Sequence, residues 1–152
     1  MTERTRCEFH ADNLLVRVQK QVPGETTAIP PVVEQIMEGV RQQGCAEHSE
    51  FEIEVALYEA LANAVEHGCG HDPEKSVEVV VACEEERGMI IVVRDPGKGF
   101  NPDSVPSPVV GKNIYADSGR GIFLINQLMD EVRFEKNGTE IWMIKGPKND
   151  DY

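Results

Sequence analysis

An acid and an amide on one predicted helix are the first residues in this sequence whose types and spacing could do chemistry. Glu59 and Asn63 are four residues apart and His67 follows after four more, so the three side chains project from nearly one face. Most of their neighbours are alanines, which leave room for a ligand to lie against the helix. An ordinary polar stripe facing solvent has the same spacing, so this feature alone leaves both interpretations open.

A second feature directly follows a predicted strand, where the chain reads DPGKGF from Asp95 to Phe100. A carboxylate at the end of a strand can accept a hydrogen bond from an exocyclic amine such as that of adenine. Gly97 and Gly99 allow a tight turn and a close approach of the backbone to a ligand. A loop that merely requires flexible residues is the alternative.

A third feature, SGRG from Ser118 to Gly121, opens another predicted helix. Glycines at a helix start expose backbone N–H groups and the helix dipole adds partial positive charge, so phosphates bind well there. Arg120 could add a planar, charged donor. A small-residue helix start with a purely structural role is the alternative. The sequence contains no P-loop, because Pro106 and Asn113 stand where that motif needs glycine and serine or threonine.

Hydrophobic periodicity predicts three helices that would position these residues. The first covers Val33 to Val40 and stops at Gly44, and the third covers Ile122 to Met129. The second helix carries the acid and the amide. It begins at Ser49, where SEFE is typical of a capping box, and runs to Gly68.

The predicted strands are short and rich in β-branched residues. They lie near Phe9 to Val22, at Val77 to Cys83, at Met89 to Val93, and on either side of the turn signal Asn137-Gly138. The second and third strands are joined by an acidic turn and read as a hairpin. Three helices and one largely antiparallel sheet predict an α+β fold, a two-layer α/β sandwich.

Length and charge limit the classes of function. A chain of 152 residues predicts one domain over 1–152, with a core at about 9–146. A net charge of −12 repels phosphate backbones, so nucleic-acid binding is not expected. No apolar run approaches the roughly 18 residues that span a bilayer, and the polar start from Met1 to Arg6 shows no signal peptide. We therefore expect a cytoplasmic protein without a membrane partner.

The four cysteines form no CxxC pair, which argues against both a disulfide framework and a zinc site of the usual spacing. We expect reduced thiols, with Cys83 in a strand. A competing metal site is offered by His67, Cys69 and His71, which lie within five residues. So short a loop rarely completes a tetrahedral site, and metal binding there is the less favoured interpretation.

In order and spacing, the three features together resemble the N, G1 and G2 boxes of the GHKL ATPase superfamily. The boxes are Glu59-x-x-x-Asn63, Asp95-x-Gly97-x-Gly99-Phe100 and Gly119-Arg120-Gly121. From Gly119 onward the chain reads GRGIFLINQLMDEVRF, which looks most like the bacterial anti-sigma-factor serine kinases. The resemblance covers nearly the whole chain and implies the Bergerat ATP-binding fold, with its main helices on one face of the sheet.

The resemblance also implies roles for residues at matching positions, with ATP and Mg²⁺ as cofactors. The side-chain oxygen of Asn63 would help to hold Mg²⁺, and Glu59 would be the general base that takes a proton from a serine hydroxyl. Asp95 would read adenine, and the glycines at 97 and 99 would shape its pocket. The glycines at 119 and 121 would approach the phosphates with Arg120, under a mobile lid at about 101–117.

The function implied by the resemblance is an ATP-dependent serine-protein kinase that acts as an anti-sigma factor. Its acceptor would be an anti-anti-sigma protein of the STAS type, it would sequester a sigma factor, and it would form a homodimer. The alternative is a nucleotide-dependent binding regulator of the same fold, either without kinase turnover or with a partner other than a sigma factor.

Overall fold

A computed structural model describes residues 14–45, 49–84, 88–98 and 117–146. In these ranges the chain forms five strands and three α-helices. In chain order they are β1 (Leu14–Pro23), α1 (Ile29–Gln43), α2 (Glu50–Asn63), β2 (Ser76–Glu84), β3 (Gly88–Arg94), α3 (Asp117–Leu128), β4 (Glu131–Glu135) and β5 (Glu140–Lys145). None of the described helices has the length and apolar character needed to cross a membrane.

The five strands form one sheet in the order β1-β2-β3-β5-β4. Every neighbouring pair is antiparallel, and the β2–β3 hairpin sets Val81 opposite Ile91. After β3 the chain passes through α3 to the edge strand β4 and then returns as β5 beside β3. The predicted α+β fold with an antiparallel sheet is confirmed.

One face of the sheet carries the core and all three helices. Alternate residues of β2 and β3, such as Val79 and Ile91, are buried against apolar residues of α1, α2 and α3 in one cluster. The alanines of α2 are part of this cluster, and their small size lets the helix lie close to the sheet. The opposite face holds a smaller cluster around Ile90 and Val92.

The first helix agrees with its prediction. It begins with prolines in its first turn, buries Val33, Ile36, Met37 and Val40, and ends at Gly44 with a left-handed φ of 68°. Glycine reaches that conformation without the clash a Cβ would cause, so the helix stops there.

The capping box predicted at the start of α2 is wrong, although the helix does begin there. Ser49 makes no side-chain hydrogen bond to the helix, and its φ of −132° and ψ of 12° lie outside the extended conformation usual for an N-cap. Its hydroxyl group is therefore not aimed at the first free N–H groups. Only its carbonyl oxygen joins the helix, accepting a bond from the Ile53 N–H at 3.1 Å.

Two boundaries near the carboxyl end also differ from the predictions. Helix α3 begins at Asp117, ahead of the expected Ile122, because small and polar residues can form a first turn that contributes nothing to the apolar period. The β4–β5 connection is longer than a two-residue Asn-Gly turn. Register pairs Glu135 with Glu140, and both Lys136 and Asn137 have positive φ.

The prediction of reduced thiols is wrong for two cysteines. Cys45 and Cys83 form a disulfide with a Cα–Cα separation of 6.1 Å, which lies within the usual range. Cys45 follows the end of α1 and Cys83 lies in β2, so folding the helix onto the sheet brings together residues 38 apart in sequence. Spacing alone could not reveal this pairing. Cys69 is a free, buried thiol.

Candidate functional site

A narrow hollow lies between α2, α3 and the sheet. About 10 Å³ of it is enclosed, roughly the room for one water molecule, and the figure reaches about 290 Å³ only when the open mouth is counted. Two polar side chains from distant parts of the chain, Asn63 and Asp95, lie on its wall. The other lining residues are mostly apolar: Ala60, Ala64, Val93, Ile122, Ile125, Phe134, Gly138, Thr139 and Ile141. Apolar walls with a few converging polar groups are typical of a small-molecule site.

Asp95 is held at the end of β3 by its own backbone and by its carboxylate. Its N–H donates to the carbonyl oxygen of Thr139 at 2.9 Å, and its Oδ1 accepts from the N–H of Gly97 at 2.8 Å. Partial burial raises the pKa of Asp95, while the bond from Gly97 and the nearby His67 act in the opposite direction. A carboxylate with one such bond retains capacity to accept another from a ligand amine.

Two glycines make the space that Asp95 occupies. A Cβ atom built on Gly68 would overlap the Asp95 side chain, and one built on Gly97 would lie 2.8 Å from the Gly68 Cα and 3.0 Å from Asp95 Oδ1. These three residues are therefore packed with no room for a further methyl group. Sequence analysis identified Gly97 but missed Gly68, because a glycine at a helix end is already explained by helix termination.

A π-helical turn delivers Gly68 to this contact. Helix α2 ends at Asn63 and the residues Ala64–Gly68 continue it as a π-helix, in which the Cys69 N–H donates to the Ala64 carbonyl oxygen at 3.0 Å. Such turns are rare in proteins as a whole, and those that occur are often found at functional sites. Because the turn breaks the 3.6-residue period, the helical spacing of His67 no longer places it above Asn63. His67 is exposed and is not among the residues lining the hollow.

Asn63 provides the most unusual atom of the site. Its Oδ1 is buried and accepts no hydrogen bond from any group in the part of the chain that the structure describes. Buried polar atoms without a partner are rare, and each costs about 1–3 kcal/mol. An amide oxygen of this kind suits Mg²⁺, which takes one or two oxygen ligands from a protein and keeps water on its other positions. The residues present therefore fit such an ion.

Glu59 lies one turn before Asn63 and borders α3 instead of lining the hollow. A Cβ atom on the buried Gly121 would lie 2.9 Å from Glu59 Oε1, so the absence of a side chain at 121 allows the two helices to approach here. Gly119 and Arg120 fall in the first turn of α3. The side chain of Arg120, Gly99 and the predicted lid lie outside what the structure describes, so their contacts with phosphate stay predictions.

The competing metal site is not formed. Cys69 is buried whereas His67 and His71 are exposed, and the described residues hold no group of three side chains suited to a metal ion. Burial, followed by the charge of Asp95, raises the pKa of the Cys69 thiol. This keeps it protonated, which disfavours metal ligation.

Several lining residues had no distinguishing signal in the sequence. Ile122 and Ile125 read as ordinary core positions of a helix, and Phe134 reads as a strand residue. Gly138 was part of the Asn137-Gly138 turn signal, and Thr139, which follows it, carried no signal. They join the site because β5 is inserted beside β3, which sets the β4–β5 connection next to Asp95.

Comparison with known proteins adds an independent result. The sequence profile of a protein family described as the histidine kinase-like ATPase domain matches residues 22–145. The chain is 27% identical over 138 residues to the serine-protein kinase RsbW of Bacillus subtilis, covering 84% of each protein. It is 35% identical over 99 residues to the anti-sigma F factor of Bacillus cytotoxicus, covering 62% of this chain and 67% of that protein. A similar protein in Staphylococcus epidermidis, also a serine-protein kinase RsbW, is 30% identical over 119 residues.

Proposed function

This chain belongs to the histidine kinase-like ATPase family, and from that premise we propose that it binds ATP with Mg²⁺ in the hollow and transfers the γ-phosphate to a serine of a partner protein. The observation that carries the proposal is the meeting of a half-buried carboxylate, Asp95, and an unpartnered amide oxygen on Asn63 in one apolar hollow. Asp95 also holds the turn at Gly97, but Asn63 Oδ1 has no partner among the described residues that would account for its position.

Asp95 would accept the hydrogen bond of the exocyclic amine of adenine. The base is flat and apolar on both faces, so Val93, Ile122 and Ile125 are suitable walls for it. The N–H of Gly97 holds one oxygen of Asp95 in place, which fixes the direction from which the amine must approach. The glycine at 99 would complete this turn.

The phosphates would lie toward the first turn of α3. Asn63 Oδ1 would hold Mg²⁺, which when bound offsets the charge of the phosphate oxygens. Backbone N–H groups at Gly119 and Gly121, with the guanidinium of Arg120, would donate to the phosphates. The predicted lid would exclude water so that serine is the preferred acceptor.

Glu59 would act as the general base. As the serine Oγ bonds to the γ-phosphorus and the bond to the bridging oxygen breaks, the carboxylate takes the hydroxyl proton and ADP leaves. Phosphoryl transfer asks a protein mainly for positioning and for charge stabilisation. Glu59 would position the serine, and Asn63, one helical turn away, would hold the cation that stabilises the charge.

The names of the relatives indicate the class of partner. The relatives include serine-protein kinases and anti-sigma factors, so a protein acceptor and a sigma factor are the partners we propose. We further propose an acceptor of the STAS type, a homodimer, and a place of action in the cytoplasm.

Two measurements test the proposal. Titration calorimetry should detect binding of ATP and ADP in the presence of Mg²⁺. Incubation with [γ-³²P]ATP and purified STAS-type proteins from the same genome should then label one of them on serine. No heat of binding with either nucleotide at millimolar concentration would refute nucleotide binding altogether.

One observation favours a second candidate function. Glu59 lies against Gly121 and is not among the residues that line the hollow with Asn63 and Asp95. A regulator that binds a nucleotide without turnover would need the hollow but not the base. It would give the heat of binding and no labelled protein with any acceptor, including partners other than those of sigma-factor pathways.

A further inference from the structure

A second and wider groove lies on the outer side of the helical layer, between α1 and α2. It measures about 280 Å³ and is lined by Val33, Phe51, Glu54, Val55, Tyr58 and Glu59. Phe51 is 74% exposed and Tyr58 is 40% exposed. Together with Val55 they form an apolar stripe along α2, since residues three and four apart share a helix face. We call this surface the α1–α2 groove.

The fold does not require this stripe. The buried face of α2 is supplied by other residues, among them Ile53, Leu57 and Leu61, which are at most 1% exposed. An aromatic side chain left in solvent gains nothing for stability, whereas exposed apolar surface with a polar rim often marks an interaction site. Tyrosine in particular is enriched among the residues that dominate binding energy at interfaces.

Glu59 connects the groove to the proposed chemistry. The same side chain lines the groove beside Tyr58 and contacts Gly121 of α3, one turn from Asn63. An acceptor hydroxyl must reach Glu59 to lose its proton. A segment seated in the groove would therefore end beside the base.

Charge indicates what kind of segment fits. Among the described residues that line the groove, the two carboxylate side chains, Glu54 and Glu59, are not accompanied by any lysine, arginine or histidine. Arg41, which links α1 to α2, is already shared among Glu34, Glu38 and Glu50. A second copy of this chain would bring another net charge of −12 to an acidic rim, which opposes self-association at this surface. An apolar segment flanked by lysine or arginine is complementary.

We propose that the α1–α2 groove is the docking surface for the protein acceptor, and that it holds an apolar segment with basic flanks that carries the phosphorylated serine. The apolar side chains of the segment lie against Phe51, Val55 and Tyr58, a basic flank meets Glu54, and the serine lies at Glu59. This inference rests on the proposed kinase function, but docking itself needs no chemistry.

Binding can therefore be tested apart from transfer. The probe is a short synthetic peptide with one serine among leucines and with arginines at both ends, added to ¹⁵N-labelled protein and followed by NMR. The expected shifts are confined to the residues that line the groove. The same peptide with alanine for serine should bind equally, and one with glutamates for the arginines should bind about tenfold more weakly.

Two variants and one control locate the contact. Phe51→Ser and Tyr58→Ser change exposed side chains and should each weaken peptide binding about tenfold. Gln127→Ala, at an exposed position of α3, should leave it unchanged. Both serine variants should keep wild-type affinity for ATP, because neither residue lines the hollow.

Separate outcomes test the two proposals. Shifts outside the groove, no saturable binding at millimolar peptide, or equal binding by Phe51→Ser and wild type would overturn the docking surface. Loss of a wild-type dimer in Phe51→Ser, seen by sedimentation, would also overturn it by making a second copy the occupant. Binding in the groove without transfer from ATP to any acceptor would instead count against the kinase function and leave the docking surface standing.

Discussion

The Asp95 carboxylate fills the space that a methyl group on Gly68 would need. Gly68 ends the π-helical turn after α2 and Asp95 directly follows β3, so this contact joins the end of the helix that carries Asn63 to the end of the strand. The position of the carboxylate in the hollow therefore depends on a residue with no side chain.

We expect Gly68→Ala to displace Asp95. Overpacking of this kind costs about 1–3 kcal/mol in the free energy of unfolding, and ATP affinity should fall at least about tenfold because the adenine contact moves. Gly39→Ala is the matched control, since a Cβ at that position in α1 has no atom within 4 Å. It should raise stability by up to about 1 kcal/mol. Denaturant unfolding and calorimetry measure both effects, and wild-type ATP affinity in Gly68→Ala would contradict the role of the contact.

Asp95→Asn should stabilise the protein at neutral pH while it weakens ATP binding. Burial raises the pKa of Asp95 above its ordinary 3.8, so the folded state holds the proton more tightly than the unfolded state. The free energy of unfolding therefore falls as the pH rises from the pKa of the unfolded state to the pKa of the folded state. Above the folded-state pKa the whole loss of stability is present. The asparagine variant, which cannot carry this charge, should be more stable than wild type at pH 7, with the difference shrinking as the pH is lowered.

The same variant should bind ATP about 10- to 100-fold more weakly, because a neutral acceptor replaces a charged one and its amide N–H₂ can face the adenine amine. Unfolding curves at several pH values and an ATP titration at pH 7 are the measurements. A stability difference that grows toward low pH would show that the sign of the pKa shift is wrong.

Asn63→Ala should leave the apo protein at least as stable as wild type. The substitution removes a buried oxygen without a described partner, and that gain offsets the small cavity it leaves. With Mg²⁺ present, ATP affinity should drop to the value that wild type shows in excess EDTA. Asn126→Ala, which removes an exposed amide from α3, is the control and should keep the Mg²⁺ dependence. An undiminished Mg²⁺ effect in Asn63→Ala would assign the cation to other residues.

Glu59→Gln should keep ATP binding and lower phosphoryl transfer by about 10²–10⁴-fold, the range usual for loss of a general base. Glutamine has the size of glutamate, so the contact with Gly121 is preserved. Glu52→Gln, earlier on the same helix, should transfer phosphate at the wild-type rate. Initial rates of serine labelling from [γ-³²P]ATP provide the measurement, and wild-type rates in Glu59→Gln would remove the base from the proposal.

Local signals predicted most of the fold. The apolar periods of α1 and α2, the β-branched runs of β2 and β3 and the glycine at 44 each act through neighbours in sequence, so they could be recognised without a structure. The strand order could not, because nothing near β5 encodes its insertion beside β3. For the same reason Thr139 was not recognised as part of the hollow, although Asp95 and Asn63 were.

The site also shows where helical spacing fails. Glu59 and Asn63 lie within the regular part of α2, whereas His67 lies in the π-helical turn. A rare backbone form is not encoded in the apolar period, so sequence analysis extended the stripe too far. The contact of Gly68 with Asp95 depends on that turn and was missed with it.

The disulfide between Cys45 and Cys83 was not expected, because the cysteine spacing argued against a disulfide framework. It closes a segment that contains the whole of α2, and so both Glu59 and Asn63. A cross-link over 38 residues stabilises a protein by about 4 kcal/mol in the chain-entropy treatment, because it restricts the unfolded chain. The cytoplasm keeps most thiols reduced, so this bond should form in the purified protein and respond to reductant.

We therefore expect dithiothreitol to lower the free energy of unfolding of wild type by about 4 kcal/mol and to leave Cys45→Ser unaffected. The serine variant serves as the control, since it lacks the cross-link under both conditions and Cys45 is not fully buried. Thiol titration in denaturant should find two more reactive thiols in wild type after reduction than before. If the number of thiols is the same before and after, and reductant shifts no unfolding curve, then the two sulfur atoms are neighbours in the fold without being bonded.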